Sequence, residues 1–424
     1  MKTQRIPALS ELFRAFFHIG CVSFGGAAGQ IAMMHRMLVD EKGWISERDF
    51  LSGLNFCTLL PGPEAQQLAT YIGWRLHGLK GGVIAGGLFV LPGAVLILLL
   101  AQAYALGAGI PAVQGLLLGI KAAVIAIVLE AVLKIGKRAL KSGTLKAVAI
   151  AAFLAMMMFG VPFPVVIAAA ALAGLTIGSE VPASTETTST SKGITIPWAA
   201  AGLCLGLWWL PVLIALLALD PQHLLVEVGL FFSKLAVITF GGAYALLAYL
   251  SDQAVARGWV SATQMLDALG FAETTPGPTI LVNPFVAFLA GWQRESSAVI
   301  AWLAGLMAIW TTFAPSFLWI FVGGPSLDRI NANRHLRAAL AGISAAVVGI
   351  IATVGAKFAT LLLFPAAKPL VYGPFQLLAP AGSPDWKAAI LTLLALVLSF
   401  AMHWPMLRSI AALAIAGFAL HFVG

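Results

Sequence analysis

Two basic side chains occupy matching places in two similar stretches of this 424-residue chain: His18 and Lys234. Each stands five residues ahead of a Ser/Thr-Phe-Gly-Gly run, Ser23-Phe24-Gly25-Gly26 in one case and Thr239-Phe240-Gly241-Gly242 in the other. Further on in each stretch comes a Pro-Gly-Pro: Pro61-Gly62-Pro63 and Pro276-Gly277-Pro278. Paired cations beside glycine-rich backbone and hydroxyls suit the binding of an anion. Two carboxylates flank the prolines, Glu64 just after the first motif and Glu273 just before the second. An ionised carboxylate repels an anion, so each of these makes sense as a proton carrier or as the partner of a cation. The plainer reading of His18 and Lys234 is that they reach an interface or pair with an acid. Arg14 and Lys121 are less symmetric, matching Leu230 and Ser344, and Glu130 is spaced to pair with Lys134 along one helix.

The elements around these residues must be broken helices. Proline has no amide hydrogen and disfavours helix in the residue before it, so both Pro-Gly-Pro motifs should interrupt a helix. Each helix that restarts presents unpaired amides and the positive end of its dipole. The residues so placed are Gly62, Glu64 and Ala65 in the first stretch, and Gly277, Thr279 and Ile280 in the second. A proline kink with no ligand is the alternative. The paired glycines admit positive φ and close approach. They could line a cradle for a tetrahedral anion, with Ser23 and Thr239 as donors, or serve as packing surfaces between helices.

Composition places these helices in a bilayer. Only 10% of residues are charged, 60% are hydrophobic, and mean hydropathy is +0.95. No charge occurs in 81–120, 147–178, 193–219 or 296–327, and about 20 apolar residues span a membrane. The fold expected is an all-α polytopic membrane protein with about thirteen segments. They fall near 11–34, 50–75, 82–104, 112–134, 146–161, 163–179, 196–219, 225–250, 265–292, 297–322, 338–362, 388–403 and 407–423. The paths of the first, second, eighth and ninth, which hold the glycines and prolines, stay open. Lys134, Lys137, Arg138, Lys141 and Lys146 cluster beside spans, which reads as a cytoplasmic loop and a cytoplasmic amino terminus. The net charge of +8 is thus a topology signal, and no nucleic-acid partner is expected. The loop from Arg36 to Asp49, assigned outside, is the exception to this orientation.

The repeat is the strongest pattern. ELFRAFFHIGCVSFGG (Glu11 to Gly26) and EVGLFFSKLAVITFGG (Glu227 to Gly242) share five of sixteen positions. WISERDFLSGLNFCTLLPGP (Trp44 to Pro63) and WVSATQMLDALGFAETTPGP (Trp259 to Pro278) share eight of twenty. An odd number of spans between the copies inverts the second. The domains expected are 1–179, a repeat of about six spans; 180–223, a polar linker and one connecting span; and 224–424, the inverted repeat. Inverted repeats with interrupted helices at corresponding positions point to a secondary transporter.

With its paired FGG and PGP motifs, WIS and WVS lead-ins and two joined halves, the chain resembles the chromate ion transporter family in its long, two-domain form. The resemblance leaves out the linker and 363–385. It implies an inner-membrane exporter of chromate, with sulfate as the structural analogue and the lipid bilayer as its surroundings. A homodimer is compatible with it. The family's usual proline after the first motif is absent, replaced by Ala27 and Ala243.

Other functions lose ground on the same residues. Cys21, Cys57 and Cys204 stand apart, and no HExxH, GxSxG or GxxxxGK[ST] occurs. No cofactor, metal or catalytic residue is expected, nor ATP hydrolysis, and an enzyme is disfavoured. Met156 to Met158 do not share one helix face, and His403 and His421 lack ligand spacing. The first ten residues lack the apolar core of a signal peptide. Sulfate or other oxyanion uptake or exchange, and a passive anion channel, remain the alternatives.

Overall fold

The computed structural model describes residues 5–177, 197–240, 243–327 and 333–422. Most of the linker and the pair Gly241-Gly242 lie outside the described residues. The described chain is helical apart from one hairpin. The helices are α1 (Leu9–Val22), α2 (Gly26–His35), α3 (Glu47–Leu59), α4 (Glu64–Gly107), α5 (Pro111–Ala139), α6 (Gly143–Phe159), α7 (Phe163–Ile177) and α8 (Trp198–Ala218). The second half adds α9 (Leu224–Ile238), α10 (Ala243–Ala256), α11 (Ala262–Thr274), α12 (Val282–Glu295), α13 (Ala298–Gly323), α14 (Arg334–Leu363), α15 (Trp386–Leu396) and α16 (Met406–His421). Among the described residues five helices, α4, α5, α8, α13 and α14, are long and apolar enough to cross a membrane. The protein is a multi-pass α-helical membrane protein. The hairpin, β1 (Lys368–Tyr372) with β2 (Phe375–Ala379), lies within 363–385.

Compactness groups the chain into two units, each drawing on both halves of the sequence. Unit one comprises 1–99, 180–243 and 275–337; unit two comprises 100–179, 244–274 and 338–424.

In unit one the first two apolar segments fold back on themselves. The α3 helix has 13 residues, about 20 Å of rise against a hydrocarbon core of about 30 Å. After the Pro-Gly-Pro turn α4 returns beside it: a Cβ on Gly53 would strike the Tyr71 ring, and Arg75 pairs with Asp49 at 3.6 Å. A straight helix broken only by a kink would hold these residues far apart. The α1–α2 pair opens at the same end, since His77 Nε2 donates to Pro7 O at 2.7 Å and His35 pairs with Glu47. Both hairpins therefore have their open ends together and their glycine and proline motifs at their tips. The loop from Arg36 to Asp49, expected on the opposite side from Arg75, lies at the same end as Arg75. Fold-back removes the crossing that the sequence reading had counted between them.

Residues His77 and Gly78 leave helical geometry inside α4, with Gly78 at φ 60°. The two arms of α4 then run antiparallel, touching where Gly73 and Gly81 face each other; a Cβ on either would overlap the other's carbonyl. Forcing a side chain into such a contact costs about 1–3 kcal/mol. Gly81→Val is accordingly expected to lower the thermal unfolding midpoint in detergent, whereas a change at the open Gly87 leaves it in place. Helix α13 packs its carboxyl end on the base of this hairpin, Phe321 against Gly82 and Gly324 against Trp74. Its amino end lies by the α12 terminus, where Gly291 meets Ala301 and Arg294 pairs with Glu227 of α9 at 2.9 Å. With 26 residues α13 extends about 39 Å. The α9 and α12 helices thus enter unit one from the end opposite to the α1–α2 and α3–α4 hairpins.

Unit two is a bundle closed by small residues, as membrane helices require where backbones approach. Gly119 of α5 fits against the Leu413 carbonyl of α16, Gly349 of α14 against Ala149 of α6, and Gly342 of α14 against Ala170 and Gly174 of α7.

Candidate functional site

Two reciprocal hydrogen bonds in unit one join the four interruptions in two pairs. Gly62 N–H of the first Pro-Gly-Pro donates to Thr239 O at 3.0 Å, and Gly277 N–H of the second donates to Ser23 O at 2.9 Å. Each Pro-Gly-Pro thus bonds to the FGG segment of the other copy. The backbone reaches this geometry only through glycine: φ is 114° at Gly62, 105° at Gly277, and 93° and 67° at Gly25 and Gly26. Gly93 lets α4 pass directly against the second motif, where a Cβ would overlap Pro276 O.

Two glutamines, absent from the expected set, brace the breaks. Gln67 Nε2 donates to Pro61 O at 2.7 Å, and Gln30 Nε2 donates to Gly277 O. Both side chains are fully buried, and donation to a carbonyl fixes which way each amide points. Their Oε1 atoms have no partner, nor does Ser316 Oγ, which faces Gly62. Asn283 Nδ2 bonds Thr312 Oγ1 at 3.0 Å, adding a second buried polar contact on the α13 face that carries Ser316. A glutamine inside an apolar helix carries no motif, so only its burial reveals it.

The donors expected from the sequence are distributed unevenly. The amides of Gly62 and Gly277 close the tips on carbonyls, as described. The Thr239 hydroxyl bonds back to Leu235 O within its helix, and Ser23 Oγ faces Met33 Sδ at 3.7 Å. The amides left without intrahelical acceptors are those of the first turns after each break. They belong to Gly26 and Ala27 at α2, to Ala65 and Gln66 at α4, and to Thr279 and Ile280 ahead of α12. Pro61, Pro63, Pro276, Pro278 and Phe24 shape these turns, Phe240 follows the Thr239 cap of α9, and Thr279 is buried. Gly241 and Gly242 lie outside the described residues.

His18 and Lys234 are both exposed, each just over one turn before its break, and neither has an ion-pair partner among the described residues. Arg14 shares the exposed face of α1 with His18. Glu64 is half-buried in the first turn of α4, and Glu273 is buried near the end of α11 in unit two. Glu130 and Lys134 form the expected helical pair. Lys121 binds Asp267, a residue that carried no sequence signal. No cluster of three or more potential metal ligands occurs among the described residues. The arrangement brings together helix amino termini, bent backbone and hydroxyls, with the basic side chains His18 and Lys234 about one turn away.

The chromate transporter family matches residues 10–175 and 226–419. A protein of Pseudomonas aeruginosa named chromate transport protein is 32% identical over 82% of this chain and 81% of its own length. One of Synechococcus elongatus, named probable chromate transport protein, is 28% identical over 81% of this chain and 83% of its own. An uncharacterized transporter of Bacillus subtilis, YwrA, is 29% identical over 39% of this chain but 96% of its own length. No solved structure matches the chain. On the two matched stretches and these identities, the chain belongs to the chromate transporter family.

Proposed function

We propose that this protein is a secondary transporter that expels chromate across the bacterial inner membrane by alternating access between two inverted repeats. The observation that carries the reading is the reciprocal bonding of the breaks, Gly62 to Thr239 and Gly277 to Ser23. It is the contact pattern expected of two copies related by a two-fold axis, as in inverted-repeat transporters with broken helices at the binding site. The repeats are assigned to 1–179 and 224–424, joined by the linker and α8. The amino terminus and the open ends of the first two hairpins are assigned to the cytoplasm, where Arg75 and Lys80 satisfy the positive-inside rule.

In this reading the first-turn amides after each break, with Ser23, Thr239 and Thr279, receive the tetrahedral dianion. The two breaks part to open the site to one side and then the other. His18 and Lys234 draw the anion in, and Glu64 and Glu273 are candidate proton carriers. Export needs no nucleotide: with the interior negative by ~100 mV, a departing dianion gains about 4.6 kcal/mol. Sulfate, of equal charge and shape, competes.

Chromate flux into and out of liposomes holding the purified protein tests the reading. Saturable flux inhibited by sulfate is expected. His18→Ala and Lys234→Ala should each weaken chromate binding to the purified protein severalfold, and normal binding by both variants would remove the paired cations from the site. Flux that never saturates would indicate a channel, and a current driven by sulfate entry would indicate uptake.

A further inference from the structure

We propose that Asp267, held by Lys121 and Tyr104, is a proton-binding site through which oxyanion movement is coupled to proton movement. The inference rests on the transport reading above and adds the coupling ion and its residue.

The three residues come from three helices of unit two. Asp267 on α11 is 2% exposed. Its Oδ2 receives Tyr104 O–H from α4 at 2.9 Å and lies 3.3 Å from Lys121 Nζ of α5. Its Oδ1 is buried and has no partner. A buried acceptor without a donor is costly, and a proton on this oxygen satisfies it while leaving both Oδ2 contacts in place. Lys121 already brings a positive charge, which disfavours a metal cation, and apolar side chains pack close by: Ile120 and Val124 of α5 against Gly270, and Phe271 on the Tyr104 ring at 5.8 Å. The titratable groups facing Asp267 are Lys121 from α5 and Tyr104 from α4; on its own helix the next is Glu273.

The repeat supplies the second argument. The position matching Asp267 in the first copy is Ser52, and that matching Lys121 in the second is Ser344. The pair joins Lys121 of the first copy to Asp267 of the second, and neither charge recurs at the matching position of the other copy. Ionised groups inside apolar segments are costly, and a buried pair can often be replaced by neutral residues without loss of stability. Charges kept at only one of two matching positions mark a function that the two-fold fold does not share.

The connection to the breaks is covalent. Helix α11 runs unbroken from Asp267 to Thr274 and enters Thr275-Pro276-Gly277 directly. When Asp267 is ionised, the bond to Lys121 ties α11 to α5. When it is protonated the charge pair is dissolved and α11 is released, so the proton biases the helix that ends in the second break. A ligand shifts such an equilibrium only by binding the two states differently, and the loss of the Lys121 attraction provides that difference.

The experiment uses the full-length protein in liposomes with an internal pH dye, at alkaline pH where chromate stays a dianion, against protein-free liposomes. Imposed chromate gradients are expected to drive proton movement that reverses sign when the gradient is reversed. The Asp267→Asn/Lys121→Gln double variant leaves no unpaired buried charge, so it should fold. It is expected to keep chromate exchange at equilibrium within about twofold of wild type and to lose at least tenfold of the chromate-driven proton movement. Wild type that exchanges chromate without moving protons overturns the proposal, as does a double variant that moves protons normally. Loss of proton movement in Glu273→Gln, with retention in the double variant, would transfer the site to Glu273. Wild type that exchanges neither chromate nor sulfate defeats the transport reading itself, which separates that failure from this one.

Discussion

Gly62→Ala and Gly277→Ala each reduce chromate flux at least about tenfold at equal amounts of folded protein. The expectation follows from the backbone. At φ 114° and 105° an L-residue is held in a sparsely populated region at a cost of about 1–3 kcal/mol, and about 1.4 kcal/mol corresponds to a factor of ten. The added Cβ then meets a neighbour: Gln67 Nε2 at 3.0 Å and Ser316 Oγ at 3.3 Å for Gly62, and Leu281 Cδ1 at 3.1 Å for Gly277. Gly62→Ala should be the more severe, because Gln67 is the brace on Pro61 O and cannot retreat without releasing it. Gly25→Ala is the control. Its φ is 93°, but no atom lies within 4 Å of the new Cβ, so it bears the backbone cost alone and falls between wild type and Gly62→Ala. Flux measured in liposomes of matched protein content decides. A Gly277→Ala protein transporting at the wild-type rate would show that a glycine conformation at the second break is not needed for turnover.

The sequence disclosed these breaks because glycine and proline restrict backbone in ways that leave letters behind. It did not disclose where the chain goes afterwards. A 13-residue helix, a break and another helix have the same composition whether the second half continues onward or turns back; only the Gly53 contact with Tyr71 and the Asp49–Arg75 pair distinguish them. The same ambiguity put the loop from Arg36 to Asp49 on the opposite side from Arg75, against its own basic residues. Gln30 and Gln67 were invisible for a different reason. An amide in an apolar helix is neutral and unspecific, and its value lies in which carbonyl it reaches. Asp267 has only Ser52 at its matching position, so the repeat does not point to it.

That lack of a match leads to the second large effect. Lys121→Gln and Asp267→Asn, each made alone, are expected to destabilise the protein by several kcal/mol, and the double variant far less. Removing one member of a buried ion pair leaves the other uncompensated, at a cost of about 3–5 kcal/mol. Lys121 is 18% exposed, so some solvent reaches its ammonium. Asp267 at 2% has no such relief, and Lys121→Gln, which strands the carboxylate with only Tyr104, should be the worse of the two. Thermal unfolding in detergent gives the order: Lys121→Gln lowest, Asp267→Asn next, the double variant near wild type. A double variant as unstable as the sum of the singles would mean that the two charges do not sense each other. Recovery in the double would show that the fold tolerates neutral residues here, as it tolerates serine at the matching positions, Ser52 and Ser344. The charges would then be kept for what the carboxylate binds and not for the stability it confers.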